Sequence, residues 1–503
     1  MKTKIKKRCS KDYINYVILA IIVLILSLLK LDVSPIGNDI PAVDSSVFQI
    51  MGKGLINNQI IYKDLFDHKG PIVYVINALA YIISPNIGLF MIEIIFIYIG
   101  VLFIYKSSKE FLNEKLSLIT SLVYLMPIFS YIDGGNYTEE YAITFTNIAL
   151  YNMLKIFFKN QYNQKVNWII IGATFAVNFM IKPTYIGIWV AFGIVQLMCS
   201  IKDKKIKELF KYILYMFYGI MSIFIPIFLY LIIKNDIKDF INAYFIMNMN
   251  YSKTTMYNRI VTFKELVICY KGLIYLILML LGNIAIIFSK KINKRTKNFI
   301  TIFNIITLIF SAWAANVYQH YLLQIAPGVA LNMIILLYEI KNKLCTPKIE
   351  NVIKQLPIGL IYICIIIVLI FLNIIYKLNI NTEKSRYKYN ESKRNIFMEI
   401  DKYLDKDDEL FVLGNDESCY LILNRQPRFK YFFQNPIFIY NDEIIQETEK
   451  YLTTKMPKVI LKYITENEEL FEEKSENINK MLNENYEEFD RGKLKYYVLK
   501  EIK

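Results

Sequence analysis

Only two histidines, six cysteines and three tryptophans occur in 503 residues, and these scarcities remove whole classes of chemistry. The cysteines (Cys9, Cys199, Cys269, Cys345, Cys364, Cys419) form no CxxC pair and no cluster, so neither a disulfide framework nor a thiolate metal site is indicated. Cys419, the one cysteine of the C-terminal part, reads as an ordinary half-buried residue. No Walker loop, GxGxxG turn, HExxH helix or GxSxG elbow occurs, which leaves nucleotide hydrolysis and zinc-protease chemistry without support. Acidic residues number 44 against 59 Lys and Arg, a formal charge of +15. In a soluble chain that excess would point to nucleic acid. Here the lysines crowd short loops between apolar runs, so membrane topology accounts for them and no nucleic acid partner is expected.

What is abundant is apolar surface. The chain is 55% hydrophobic with 39 Tyr and 33 Phe, and its mean hydropathy is +0.33. A soluble domain cannot hide that much, so the bilayer must act as solvent for most of it. The basic segment Met1 to Lys11 precedes an apolar run, Ile14 to Leu31, that is longer than a signal-peptide core and lacks a small-residue cleavage site. It is expected to persist as a first helix.

Runs long enough to span fall near 14–31, 87–105, 116–132, 139–158, 166–181, 183–200, 209–233, 265–288, 298–316, 320–339 and 355–376, about eleven crossings at roughly 17–25 residues each. A further run, 71–84, is too short to cross comfortably. Its status sets the parity of everything after it, and the charges decide. With 71–84 outside the count, the loops rich in Lys and Arg (residues 2–11, 106–115, 155–165, 202–211, 290–297 and 341–354) all fall on one side, as the positive-inside rule demands. The expected topology is therefore a multi-pass protein of the cytoplasmic membrane. The N-terminus is inside, 71–84 lies in the outer interface, and the C-terminal domain is outside.

Three outer segments are more than connectors. The first outer loop, 32–86, carries Asp39, Asp44, Asp64, Asp67, His68 and Lys69, and its stretch DSSVFQIMGKGL has the spacing of an interfacial amphipathic helix with Asp44 at its N-cap. The second, DGGNYTEE (133–140), places Asp133, Glu139 and Glu140 at the mouth of two helices. There carboxylates must be hydrated, paired or bound to a cation, or simply start a helix capped by Thr138. The third, YQHYLLQIAP, holds His320 and Tyr321. Both histidines thus face outward among several carboxylates, which admits a metal or a phosphate site as well as ordinary hydrogen-bonded interface residues. A long outer loop, Lys234 to Lys264, ends near Arg259.

Beyond a membrane module at 1–378, the segment 379–503 reads as a small α/β domain. Strands are expected at 409–414, 457–464 and 494–499 and helices at Ser392–Leu404 and Asp442–Leu452, with Asp416 and Glu417 capping a further helix.

This order of features resembles the GT-C superfamily of membrane glycosyltransferases. The likeness is to the branch of the dolichyl-phosphate-mannose and aminoarabinose transferases, over roughly residues 10–340. It is carried by the first helix, by VDSSVFQIMGKGL, by YKDLFDHKGPIVYVINAL and by DGGNYTEEYA two helices later. Such enzymes commonly follow the lysine with two prolines; here the sequence is Lys69-Gly70-Pro71. The resemblance implies a GT-C-like helical membrane module with an extracytoplasmic active site. It also implies a polyprenyl-phosphate-linked sugar as donor and a cell-surface glycan, glycolipid or protein as acceptor. By carry-over, Asp44 is the catalytic base. Lys69, Lys182, Arg259, His320 and Tyr321 meet the donor phosphate, and Asp133, Glu139 and Glu140 form a second acidic or acceptor site. Asp67, His68 and Glu139 are candidate ligands for a divalent cation. His68 stands where some relatives have an acidic metal ligand. Two rivals remain: a ligase or polymerase of lipid-linked glycans, and a transporter or flippase, for which Glu93 is the one mid-span acid.

Overall fold

The computed structural model describes residues 2–37, 39–313, 315–344, 380–464 and 467–500. The expected span 355–376 lies outside the described residues. In chain order the first helices are α1 (Lys2–Lys30), α2 (Val43–Ile56), α3 (Pro71–Ile83), α4 (Gly88–Lys109), α5 (Glu114–Tyr131), α6 (Thr138–Phe157), α7 (Lys165–Phe179), α8 (Gly187–Lys202) and α9 (Ile206–Ile233). There follow α10 (Ile237–Phe240), a π-helical turn Ile241–Met247, α11 (Asn248–Tyr251), α12 (Met256–Cys269), α13 (Leu273–Phe288), α14 (Lys294–Ser311), a 3-10 segment Gln319–Ile325 and α15 (Ala326–Leu344). The last part holds α16 (Ile380–Asp401), β1 (Leu410–Gly414), α17 (Ser418–Ile422), α18 (Glu443–Lys455), β2 (Val459–Tyr463), α19 (Glu468–Lys474), α20 (Glu476–Asn485), β3 (Tyr486–Arg491) and β4 (Leu494–Leu499).

The chain divides into two compact units. One consists of Met1–Ser34, Phe90–Ile227 and Thr254–Asn379, the other of Pro35–Leu89, Phe228–Lys253 and Ile380–Lys503. The first is an all-helical bundle in which α13 and α5 pack on α15, α6 on α7, and α8 on α14. Its outward faces are apolar: α9 leaves Phe210, Leu214, Phe217 and Ile225 exposed, a surface that hydrocarbon solvates and water does not. Among the described residues four helices are long and apolar enough to cross a membrane, or five if the pair α12–α13 counts as one span. The pair is bent by 108°. The single run expected over 265–288 is therefore two helices. The chain turns through Lys271, whose φ of 54° ends α12 in the left-handed conformation. The run 320–339 likewise opens as the 3-10 segment before α15 begins.

In the second unit, α2 packs on α3 and the small sheet lies in the C-terminal part, with strand order β1-β2-β4-β3. Strands β1 and β2 are parallel, and β4 pairs antiparallel with both β2 and β3. Every residue of β1 is buried, as a strand covered on both faces should be. The polar-looking β3 closes a hairpin with β4 through Gly492, whose φ of 81° suits a tight two-residue turn. The C-terminal part grips the segment that joins α1 to α4. Lys53 Nζ donates to Asn424 Oδ1 at 2.7 Å, the Phe66 amide donates to the Lys430 carbonyl at 2.8 Å, and Arg394 donates to the Asp39 carbonyl at 2.9 Å.

Candidate active site

The expected site residues fall into two groups, each assembled within its own unit. Asp44, Asp67, His68 and Lys69 belong to the unit that holds α2 and α3, and Asp133, Glu139, Glu140, Lys182, Arg259, His320 and Tyr321 to the helical bundle.

In the α2–α3 group, Asp44 lies half-buried in the first turn of α2, where a carboxylate favours the positive end of the helix dipole. It is not the N-cap. Ala42 holds that position and no side chain caps the helix there. Asp67 is buried: one oxygen accepts from the Tyr74 hydroxyl at 2.9 Å and the other from the His68 amide at 2.7 Å. Burial pushes its carboxyl above the usual carboxylate range, while Lys69 and the Tyr74 hydroxyl pull it back, and Asp44 adds like charge. Lys69 Nζ lies 2.8 Å from His68 Nε2. With the ammonium donating, the imidazole proton sits on Nδ1, 3.4 Å from Asp67. The turn carrying Lys69 is fixed by the Tyr62 hydroxyl donating to its carbonyl at 2.9 Å, with the Tyr74 hydroxyl, shared with Asp67, 3.0 Å away. Asn248, just beyond the π-helical turn, donates to the His68 carbonyl at 2.5 Å.

In the bundle, Glu139 is buried at the start of α6 and paired with Lys182 at 2.5 Å, while its second oxygen accepts from Thr138 at 2.7 Å. Thr138 is the first helical residue rather than the cap, which is Tyr137. Lys182 also stands 4.3 Å from the centre of the Tyr321 ring, a cation–π contact that adds to the ion pair. His320 is stacked on Tyr137 at 4.1 Å and meets Tyr321 edge-on at 4.9 Å, and its Nδ1 is 4.0 Å from Asp133. Arg259 is buried with its guanidinium 4.5 Å from the Trp313 ring, and its helix α12 lies against the 3-10 segment bearing His320.

The turn between α5 and α6 explains its glycines. Gly134 and Gly135 have φ of 91° and 98°, and a Cβ on either would collide with the carboxylates of Asp32 and Glu93 respectively. Glu93 and Glu140 both accept from the Asn136 amide, Glu140 at 3.0 Å. Glu93 and Asp32 are thus members of this acidic mouth that sequence reasoning left out. Glu93 lies inside an apolar run, and nothing local signals that a turn more than 40 residues on folds against it.

Among the described residues no three His, Cys, Asp or Glu side chains gather so as to hold a metal ion. The proposed ligand atoms already have partners: Glu139 with Lys182 and Thr138, Asp67 with Tyr74 and the backbone, and His68 Nε2 with Lys69. In the C-terminal part, Asp416 is ion-paired with Lys393 at 2.8 Å. Glu417, fully buried, makes no hydrogen bond apart from its own amide. Neither side chain caps α17 as expected.

A family model described as "Putative competence-induced protein Ccs4 N-terminal domain" matches residues 2–381. The chain belongs to this family. The Ccs4 match covers α1 through the first residues of α16 and leaves the sheet beyond it. No curated protein matches the chain significantly. Among solved structures the chain is similar to the aminoarabinose transferase ArnT from Cupriavidus metallidurans bound to undecaprenyl phosphate. The TM-score is 0.62 at 12% identity, covering 96% of this chain and 97% of that one. It is also similar to the oligosaccharyltransferase of Archaeoglobus fulgidus tethered to an acceptor peptide, with a TM-score of 0.53, 13% identity, and coverage of 97% and 74%. This member of the Ccs4 family therefore has the GT-C fold, as the ordered motifs led one to expect.

Proposed function

We propose that the chain is a glycosyltransferase that moves a sugar from a polyprenyl-phosphate donor to an acceptor hydroxyl at the outer face of the cytoplasmic membrane, for a cell-surface glycan or glycolipid. The observation that carries this reading is the outer loop itself. Within a GT-C fold, one segment presents an acid at the start of α2 and, before α3, a lysine on a turn pinned by the Tyr62 hydroxyl. The likeness to a transferase bound to undecaprenyl phosphate supports the donor class.

In this mechanism Asp44 takes the proton of the acceptor hydroxyl. The freed oxygen pair attacks the anomeric carbon opposite the phosphate. The carbon–oxygen bond to phosphate breaks, its electrons remain on the phosphate, and the anomeric centre inverts. Lys69 offsets the charge gathering on the departing phosphate; the resemblance also carries Lys182, Arg259, His320 and Tyr321 over as phosphate-facing groups. Lys182 already neutralises Glu139, so phosphate would share or exchange that pairing. Asp133, Glu139 and Glu140 line the acceptor side. The topology of about eleven crossings, with the C-terminal domain outside, follows from the charge distribution, and that domain would position the acceptor.

Transfer assayed in vesicles loaded with polyprenyl-phosphate sugar tests the reading: an Asp44→Asn chain that transfers as fast as the wild type would sink it. Block transfer of a lipid-linked glycan is the second reading, favoured by the likeness to an oligosaccharyltransferase. Donor size separates the two. The transporter reading rests on Glu93 alone, one oxygen of which accepts from the Asn136 amide in the turn before α6.

A further inference from the structure

At the end of the bundle opposite Glu139, a cavity of about 300 Å³ opens among the α6–α7 loop, the end of α8, and the starts of α9 and α14. The length of α6 separates the two ends by roughly 30 Å at 1.5 Å per residue, so this cavity is no part of the site described above. Charge assigns this end to the cytoplasm, since the loops around it are the lysine-rich ones.

The lining is polar but carries no net charge. Arg295 is paired with Asp203 and donates to the Tyr162 hydroxyl at 3.0 Å. Lys205 is paired with Glu208 at 3.3 Å. Both cations are thus already matched, and an anion arriving here would have to displace a carboxylate. An apolar ligand fits no better. Gln196 is 5% exposed, its amide nitrogen donates to Ser200 at 3.3 Å, and its carbonyl oxygen is buried with no hydrogen-bond partner. A buried acceptor left unmatched is costly, so a ligand that donates a hydrogen bond to it is rewarded. Beside it the Tyr212 ring, backed by Trp168 stacked at 4.4 Å and nearly parallel, gives a flat apolar wall.

We infer that this cavity binds a small uncharged polyhydroxyl molecule, of the size of one monosaccharide or polyol. Hydroxyl donors would meet the Gln196 oxygen, hydroxyl acceptors would meet Arg295 and Tyr162, and one carbon face of the ligand would lie on Tyr212. The volume sits at the lower end of the roughly 300–1,000 Å³ usual for small-molecule sites, which excludes an oligosaccharide. The inference stands whether or not the outer site is a transferase.

Cys199 lines the same cavity with a half-buried free thiol, and exposed Cys269 serves as an internal control. The test uses the purified full chain in detergent. Maleimide labelling at each cysteine is followed by mass spectrometry, alongside calorimetric titration with glucose, N-acetylglucosamine, ribitol and, separately, inorganic phosphate. At least one of the three uncharged probes should slow labelling of Cys199 about threefold or more without changing Cys269. Gln196→Leu should weaken its binding about tenfold, the equivalent of 1.4 kcal/mol. Protection by phosphate alone would overturn the inference in favour of an anion site, and protection by none of the probes would overturn it outright. Unchanged affinity in a folded Gln196→Leu chain would also overturn it. If that variant fails to fold, the wild-type protection pattern decides by itself.

Discussion

Buried carboxylates in each unit are of two kinds, with a cation packed against them or without one, and the two solve the same problem in opposite ways. Glu139 in the bundle is buried beside Lys182 at 2.5 Å and takes a second hydrogen bond from Thr138. Asp236 and Glu417 in the other unit are just as buried, yet neither Asp236 oxygen has a hydrogen-bond partner and Glu417 has only its own amide. A carboxylate that must stay charged needs a cation against it. One without a partner answers burial by holding its proton. Burial, reinforced by Asp239, pushes Asp236 up to about 7, and burial holds Glu417 well above the carboxylate range. The contrast separates an acid held charged by a cation from acids whose burial makes them keep the proton to higher pH.

Four substitutions break or sharpen that contrast. The largest effect is expected of Lys182→Met, which strands Glu139 as a buried uncompensated charge. Stability should fall by about 3–5 kcal/mol, and Lys182→Met with Glu139→Gln should recover most of the loss in thermal unfolding. A single variant as stable as the double would mean the pair is not the neutralising device. Next comes Asp44→Asn, expected to slow sugar transfer by about 100-fold or more while the melting temperature stays within a degree or two of wild type. A parallel fall in stability would assign Asp44 to folding instead.

Third is the pH response of Asp236. Its folded pKa lies above the unfolded one, so the native state binds the extra proton. Its contribution to stability is full below the ordinary aspartate range and is lost as pH rises to about 7. Asp236→Asn should therefore flatten the fall in unfolding temperature between those limits, relative to the wild type. Curves of equal slope would refute a raised pKa at this position. The smallest effect is Glu417→Gln. A side chain already held neutral should accept the amide at a cost below about 1 kcal/mol, in contrast with Glu139→Gln, which leaves the half-buried Lys182 without its counter-charge. A large loss on Glu417→Gln would show that the carboxyl is ionised after all.

The helices were legible because apolar runs of this length have few alternatives. The runs 116–132, 139–158 and 209–233 become Glu114–Tyr131, Thr138–Phe157 and Ile206–Ile233. The three expected strands likewise correspond to β1, β2 and β4. The bend between α12 and α13 was hidden, since Tyr270, Lys271 and Gly272 only briefly interrupt an apolar window. Strand β3, YEEFDR, was missed because its exposed acids mask the alternation that would reveal it. Of the candidate sites, Asp44 and the Asp67–Lys69 turn could be read from local order. The pairings Lys182–Glu139 and His320–Asp133 and the approach of Glu93 to Asn136 could not, because each joins segments dozens of residues apart.

By itself the sequence determined where the long apolar helices run and where its acids fall between them, because hydrophobic length acts locally along the chain. Only the tertiary structure decided which of those acids keep a charge. That depends on whether a cation is packed within hydrogen-bond reach, as Lys182 is for Glu139, or the carboxyl is enclosed without one, as for Asp236 and Glu417.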